Sequence, residues 1–270
     1  HIFNALGMWG DVVKANVNAV RVSNEMRAER GEPSSSVGHY NFWLLYGLLQ
    51  QGRQSEAKAL LTAAYEETRA IGKPPVARMV LDPDDDRVGS LVQMWARYIL
   101  ETGGDDPDVA QWQFNLADAF DPNLNVLYVY AMLSKNPADI TAHLERFRRL
   151  KMELREHVMA LPEQVPFNLL YLDRLDVIEQ QLQAVLAKSQ GHGDAALEYA
   201  REAGRLEGVM PYSFGPPFVD YPSAQLLGEL AFELGHHDEA AAAFSEQLKR
   251  SRRKLQAVDG LARAEKALRP

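Results

Sequence analysis

The sequence contains no cysteine, which excludes disulfide bonds, thiolate nucleophiles and cysteine-ligated zinc sites together. It also lacks an uninterrupted apolar run of membrane-spanning length, so we expect no membrane span. Basic residues are in the minority, with 29 Lys and Arg against 37 Asp and Glu, which gives a formal net charge of -8. This balance argues against general binding to nucleic acid or anionic membranes. None of these absences assigns the protein to a compartment.

Several motifs with known chemistry are missing as well. The sequence has no phosphate-binding glycine loop, no Gly-x-Ser-x-Gly elbow and no His-Glu-x-x-His pattern. The acidic segment LDPDDDR, residues 81–87, suggests calcium, but an EF-hand loop needs Gly and Glu where this chain has Arg87 and Gln93. We expect its carboxylates to lie near the positive end of the following helix instead. The sequence therefore predicts no cofactor and no catalytic residue.

Four segments share a pattern of helix, turn glycine and helix. In LLGELAFELGHHDEAAAAFSEQL, residues 226–248, Gly235 interrupts an apolar helical pattern, and Ala240 and Phe244 follow four residues apart. Glycine suits the left-handed backbone conformation that ends a helix. The small Gly228 and Ala240 let two helices approach closely, and Phe244 fills the space between them. The same pattern recurs around Gly7, Gly52 and Gly191.

This pattern resembles the tetratricopeptide repeat, a helix-turn-helix unit of about 34 residues with Leu-Gly, Ala and Phe at these relative places. The two ends of the chain, HIFNALGMWGDVVKAN and PYSFGPPFVDYPSAQLLGELAFELG followed by GLARA, resemble a family of large bacterial tetratricopeptide-repeat proteins without an established biochemical activity. The resemblance implies an all-α fold, a right-handed α-α superhelix of tetratricopeptide-like helical hairpins. It also implies upstream repeats that are absent from this chain.

We predict a single repeat array over residues 1–270, with about six hairpins and a capping helix over about 254–268. Two diverged hairpins are expected at about 86–119 and about 122–160, with Pro137 at a helix start in the second. If Gly7 is a turn between two helices, the chain begins inside a helix, and we expect it to be part of a longer array. The alternative is a short, irregular first helix.

Tetratricopeptide repeats present their first helices on a concave groove. Counted along the repeat pattern from the turn glycines, the residues expected to face that groove include two histidines, a tyrosine and two amides. They are His1, Asn4, His39, Phe42, Tyr46 and Gln50. A neutral imidazole binds metals, relays protons or recognises carboxylates, so His1 and His39 are candidate metal ligands. Alternatively, His39 is a water-exposed residue at a helix start and His1 is simply a chain end.

The stretch MPYSFGPPFVDYPS, residues 210–223, carries four prolines and four aromatic residues between two predicted helices. Proline lowers the entropy cost of ordering a loop, so we expect Tyr212 to Phe218 to be ordered. We expect Phe214 to be buried, because an exposed phenylalanine forgoes about 1.5–3 kcal/mol. The loop then closes over the groove as a lid, with Tyr212 and Phe214 as ligand contacts, or it fills a gap between hairpins.

These observations favour a non-catalytic repeat scaffold that binds a peptide or protein segment in its concave groove. The alternative is a small-ligand or metal-binding protein, with hydrolysis as one option, whose histidine-containing site is completed by the missing upstream repeats. The expected partner is thus a protein or peptide, with a small ligand as the second option, and nucleic acid is not expected.

Overall fold

A computed structural model describes residues 1–72, 86–162, 165–212 and 214–269. Within these ranges all regular secondary structure is helical, which confirms the all-α class. The helices are α1 (Ile2–Ala5), α2 (Trp9–Glu29), α3 (His39–Gln50), α4 (Gln54–Ile71), α5 (Arg87–Thr102), α6 (Pro107–Ala110), α7 (Phe120–Leu133), α8 (Pro137–Met159), α9 (Pro166–Ser189), α10 (Gly193–Gly208), α11 (Ser223–Glu233), α12 (His237–Arg250) and α13 (Leu255–Ala267). In the described ranges no helix is long and apolar enough to cross a membrane.

The chain divides into two compact units. The first comprises His1–Asn125 together with Phe214–Pro216, and the second comprises Val126–Ser213 together with Pro217–Pro270. The prediction of one continuous array over the whole chain stays a prediction.

Each of the four turn glycines lies between two helices, as predicted. Gly7, Gly52, Gly191 and Gly235 have φ angles of 65°, 68°, 81° and 83°, in the left-handed region that disfavours a Cβ. The flanking helices pack against each other in every case, as the pairs α1/α2, α3/α4, α9/α10 and α11/α12. Each of these glycines is therefore a turn between two packed helices, while the arrangement of the hairpins as a superhelix stays a prediction.

The two diverged hairpins differ from each other. In the first, α5 is followed only by the four-residue α6 and by non-helical residues up to Ala119, so a full second helix is missing. In the second, α7 and α8 are both present, and Pro137 begins α8 behind the capping residue Asn136, whose side chain accepts from Ala138 N.

Asp86 caps the start of α5, as expected for an acidic residue at that position. Its side chain accepts a hydrogen bond of 3.0 Å from Val88 N. Burial raises the pKa of Asp86, although the backbone N–H groups of Val88 and Gly89 act in the opposite direction. The rest of the acidic segment, residues 81–85, lies outside the described residues.

Helix α3 is buried along most of its length. Its sequence HYNFWLLYGLLQ has no polar face beyond the first turn, and such a helix must be covered by neighbours on several sides. Helices α2, α4 and α5 supply this cover. Gly47 allows the closest approach of α2, because a Cβ at this position would lie 3.0 Å from Val12 and 3.1 Å from Val13. Only the first turn of α3 is left with exposed side chains.

The core of the second unit contains Phe244 of α12. Its ring is fully buried, and the glycines of two neighbouring helices, Gly228 and Gly260, lie directly against it. Ala240, one turn earlier on α12, is fully buried in the same cluster. The close packing predicted around Gly228 and Ala240 is thus present. Helix α13 falls within the range expected for a capping helix and packs on α12.

Candidate functional site

The first turn of α3 begins without a side-chain cap. Its N-cap is Gly38, which has φ 104° and no side chain that could accept from the first N–H groups. Helix starts carry N–H groups without intrahelical acceptors and a partial positive charge, which makes them attractive to anions and to carbonyl oxygens.

The loop before α3, residues 31–38 with the sequence GEPSSSVG, is called the serine-rich loop, and polar contacts to three helices hold it in place. Asn24 of α2 accepts from Ser35 N at 2.8 Å, and Glu67 of α4 accepts from Ser35 Oγ at 3.0 Å. Gly38 N donates to Ser90 Oγ of α5 at 2.8 Å. These contacts hold the loop and the start of α3 in one geometry, so the surface that they form is preorganised.

A cavity of about 460 Å³ opens beside this first turn. Its walls come from α2, the serine-rich loop, the start of α3 and the start of α5. The lining residues are Val20, Ser23, Asn24, Arg27, Ser35, Val37, Gly38, His39, Tyr40, Asn41 and Arg87. The volume lies in the usual range for small-molecule pockets.

Asn41 is the buried polar residue in the wall of this cavity. It is only 5% exposed, and its Nδ2 donates to Val37 O at 3.1 Å and to Ser35 O at 3.5 Å. Its Oδ1 has no hydrogen-bond partner within the part of the chain that the structure describes. This oxygen is itself shielded from solvent, so it is an unmet acceptor inside the wall of the cavity and costs free energy there.

Two arginines supply the cationic groups of the cavity. Arg27 Nε donates to Pro33 O at 2.7 Å, and its NH1 lies 3.4 Å from a carboxylate oxygen of Glu32. The Arg87 guanidinium forms an ion pair with Glu67. Each cation is therefore already balanced by one carboxylate, and both guanidinium groups are held in position by protein atoms.

Trp43 is flanked by the two histidines that the repeat pattern assigned to one surface. The His1 ring stands edge-on to the indole with centroids 4.8 Å apart, and the His39 ring lies 5.2 Å away at an angle of 32°. Tyr40, which is 47% exposed, contacts His39 with ring centroids 5.7 Å apart. Asn4, assigned to the same surface, is buried instead.

We call the cavity and these rings together the α3 N-terminal site. Among the described residues, no three His, Asp or Glu side chains are grouped in a way that could hold a metal ion. The assignment of His1 and His39 as metal ligands stays a prediction.

The other candidates on α3 do not line an open groove. Tyr46 and Gln50 are 0% and 4% exposed, and both contact α5. The Arg97 guanidinium carbon lies 5.3 Å from the Tyr46 ring centroid and 5.7 Å from that of Phe42. Gln50 Nε2 donates to Glu101 at 3.1 Å, and Glu101 is 3.7 Å from Arg97. The side chains of α5 therefore occupy the space in which a ligand was expected.

The burial expected for Phe214 is wrong, because its side chain is 59% exposed. The neighbouring backbone provides the packing instead. A Cβ at Gly215 would lie 2.7 Å from the Trp43 ring, so the glycine backbone lies directly on the indole, and Pro216 is buried. This part of the loop is thus anchored in the first unit by Gly215 and Pro216 rather than by the phenylalanine ring.

The second half of the same loop is held in the second unit by buried polar contacts. Arg174 donates through Nε to Phe218 O at 2.8 Å and through NH2 to Asp220 Oδ2 at 2.7 Å. Both charged groups are nearly fully buried. Gln181 Nε2 donates to Ser223 Oγ at 2.9 Å. No motif in the sequence assigns a role to Arg174 or Asp220, although a cation within the apolar pattern of α9 is a signal for such a pair.

Tyr212 belongs to the second unit, and its hydroxyl donates to Arg250 O of the same unit at 3.2 Å. Arg250 in turn donates through NH1 to Glu207 O at 2.9 Å. Burial raises the pKa of the Glu207 carboxyl, whereas the hydrogen bond from Ser223 N acts in the opposite direction. A role of Tyr212 and Phe214 as ligand contacts stays a prediction.

A comparison with protein-family models, curated proteins and solved structures finds no match to this chain. The tetratricopeptide-repeat interpretation therefore stays a prediction.

Proposed function

We propose that the first unit is a non-catalytic binding module that holds a peptide or protein segment at the α3 N-terminal site. The proposal rests on one observation, that the exposed rings of His39 and Tyr40 stand beside a polar cavity at the first turn of α3. His39 and Tyr40 line the cavity and also contact each other, while the aromatic side of the site continues to Trp43.

This combination fits a peptide better than an apolar ligand. A peptide offers carbonyl oxygens to the helix start and to arginine. Aromatic residues and arginine are also the residue types that contribute most to the binding free energy of protein interfaces. The polar groups in the cavity other than His39 are guanidinium, amide and hydroxyl groups, which hold a ligand through hydrogen bonds.

The glycine turns support a wider proposal for the whole chain, that of a tetratricopeptide-like scaffold whose hairpins are arranged as a right-handed superhelix. Extended helical arrays of this kind commonly bind protein segments. Binding of a small ligand is the second candidate function, and the cavity volume of about 460 Å³ is the observation that favours it.

The test is a selection of peptides from a displayed random library on the intact chain, followed by measurement of the affinity of the enriched peptides. Tyr40→Ala removes an exposed ring of the site, and we expect it to weaken binding by about tenfold or more, as for an aromatic interface residue. Tyr199→Ala removes a ring of the second unit that is also partly exposed, and it should leave the affinity unchanged. Peptides that bind both variants equally well would place the binding surface elsewhere.

A further inference from the structure

We propose that an extended, acidic peptide pairs with the backbone of residues 112–116 in the first unit, and that one of its apolar side chains enters an adjacent cavity. Arg69, at the wall of that cavity, binds a carboxylate of the peptide. The inference goes beyond the proposed function, because this surface shares no lining residue with the cavity of the α3 N-terminal site.

Aromatic side chains hold residues 112–116 against α4 and α5. The Trp112 indole stacks on the Tyr65 ring of α4, with centroids 4.1 Å apart and ring planes at 18°. The Phe114 ring stands edge-on to Trp95 of α5, with centroids 5.2 Å apart. The segment is therefore anchored by its rings, and this anchoring uses none of its peptide groups.

Side-chain exposure along this segment alternates from one residue to the next. The exposed residues are Gln111, Gln113 and Asn115, and the half-buried residues between them are Trp112, Phe114 and Leu116. Such alternation is typical of an extended backbone. Within the described residues, the backbone N–H groups of 113–116 donate no hydrogen bond and the carbonyls of 112–115 accept none. An ordered, extended segment with unpaired peptide groups is the template to which a peptide adds as a strand.

A cavity of about 480 Å³ opens beside this segment. Its apolar wall contains the half-buried rings of Tyr65 and Phe114, together with Val88 and Leu91 of α5. A cavity of this size, with an apolar wall, admits one apolar side chain of a peptide that lies along the segment. The backbone then supplies affinity and the cavity supplies selectivity, which is the usual division in strand addition.

Arg69 determines the charge of the peptide. Among the described residues that line this cavity it is the only charged one, and its side chain is exposed. It forms no ion pair with any described carboxylate, whereas the two arginines of the α3 N-terminal site are each paired. An arginine without a carboxylate partner favours a peptide that carries Asp or Glu beside its apolar residue.

The experiment selects peptides on the intact chain from a displayed library in which apolar and polar positions alternate around one fixed glutamate. Each enriched peptide is synthesised unmodified, with glutamine in place of that glutamate, and with N-methyl groups on alternate residues, on either the odd or the even positions. N-methylation blocks one edge of a strand and leaves the other intact, because the N–H groups of alternate residues point to the same side.

Affinities are measured for the unmodified chain, Arg69→Gln and Arg252→Gln, which replaces an exposed arginine of the second unit as the matched control. We expect Arg69→Gln to weaken binding by about tenfold, the effect of one lost charge-assisted hydrogen bond, and Arg252→Gln to leave it unchanged. The glutamine form of the peptide should bind about tenfold more weakly and should not respond to Arg69→Gln, because the paired charge is already absent.

Two further readouts test the pairing of the backbone. One of the two N-methylated forms should lose binding and the other should keep it. In hydrogen–deuterium exchange, the amides of residues 113–116 should exchange rapidly in the free chain and be protected in the complex.

The inference is overturned if the library yields no binding peptide, or if the enriched peptides bind Arg69→Gln as well as the unmodified chain. Loss of binding in both N-methylated forms, or in neither, refutes strand pairing even where Arg69 matters. Peptides weakened by Tyr40→Ala but not by Arg69→Gln support the proposed function and refute this inference. Peptides weakened by Arg69→Gln but not by Tyr40→Ala support this inference and refute the proposed function.

Discussion

Replacement of Gly228 by alanine adds one methyl group where α11 lies against the Phe244 ring of α12. A Cβ at this position would be 2.7–2.8 Å from three carbons of the Phe244 ring, a separation that real Cβ atoms essentially never show. The ring cannot move away freely, because it is fully buried and a Cβ built at Gly260 of α13 would come within 2.5 Å of it. The added methyl group must therefore displace a helix or force the ring out of its rotamer.

The expected magnitude follows from two opposing effects. Overpacking of a well-filled core costs about 1–3 kcal/mol. Alanine is also a better helix former than glycine by about 1 kcal/mol, which offsets part of this cost. Gly204→Ala in α10 is the matched control, because a Cβ at that position would meet no atom within 4 Å and only the helix-forming gain applies. The two variants should therefore differ in stability by about 1–3 kcal/mol, with Gly228→Ala the less stable.

The assay is urea unfolding followed by circular dichroism, with the slope of the transition compared between variants so that a change in midpoint reports a change in stability. The same substitution in a Phe244→Leu background should cost less, because the smaller side chain leaves room for the methyl group. Equal midpoints for Gly228→Ala and Gly204→Ala would refute the packing described for this core.

Three further outcomes are expected. Gly215→Ala should cost about 1–3 kcal/mol and change the tryptophan emission, because its Cβ would lie 2.7 Å from the Trp43 ring; an unchanged melt and spectrum would contradict that contact. Asp220→Ala should cost about 3–5 kcal/mol in urea unfolding, since it leaves Arg174 buried without its carboxylate, and a loss below 1 kcal/mol would argue that water reaches the pair. Burial lowers the pKa of the His143 ring, so the folded state favours the neutral form. The resulting contribution of His143 to the free energy of unfolding is complete above the unfolded pKa of about 6.5, and it is lost as pH falls toward the folded pKa. Thermal melts of His143→Gln should therefore depend less on pH between about 5 and 7 than those of the unmodified chain, and identical profiles would contradict this.

The hairpin turns could be predicted from the sequence because their cause is local. A backbone position in the left-handed region of φ is most easily occupied by glycine. A glycine between two apolar helical patterns, such as Gly52 or Gly235, therefore marks a turn. The helical register predicts His39 in the first turn of its helix and on the same surface as His1. The contact of both histidines with Trp43 agrees with that register.

The rest of the site depends on residues that are distant in sequence. Nothing near Tyr46 indicates that Arg97, about fifty residues later, lies against its ring. The cavity likewise combines Arg27, Asn41 and Arg87 from three helices. The exposure of Phe214 could not be predicted for the same reason. The residues around Phe214 in the sequence do not reveal that Gly215, rather than the phenylalanine ring, packs on Trp43 of α3.

The most direct test of the proposed function locates a bound peptide on the chain. A photoreactive phenylalanine analogue replaces Tyr40 in one preparation and Tyr199 in a second, and each is irradiated with a peptide enriched in the library selection. Mass spectrometry then identifies the crosslinked product. Binding at the α3 N-terminal site predicts a crosslink from position 40 that excess unlabelled peptide suppresses, and none from position 199. A specific crosslink from position 199 alone would contradict it.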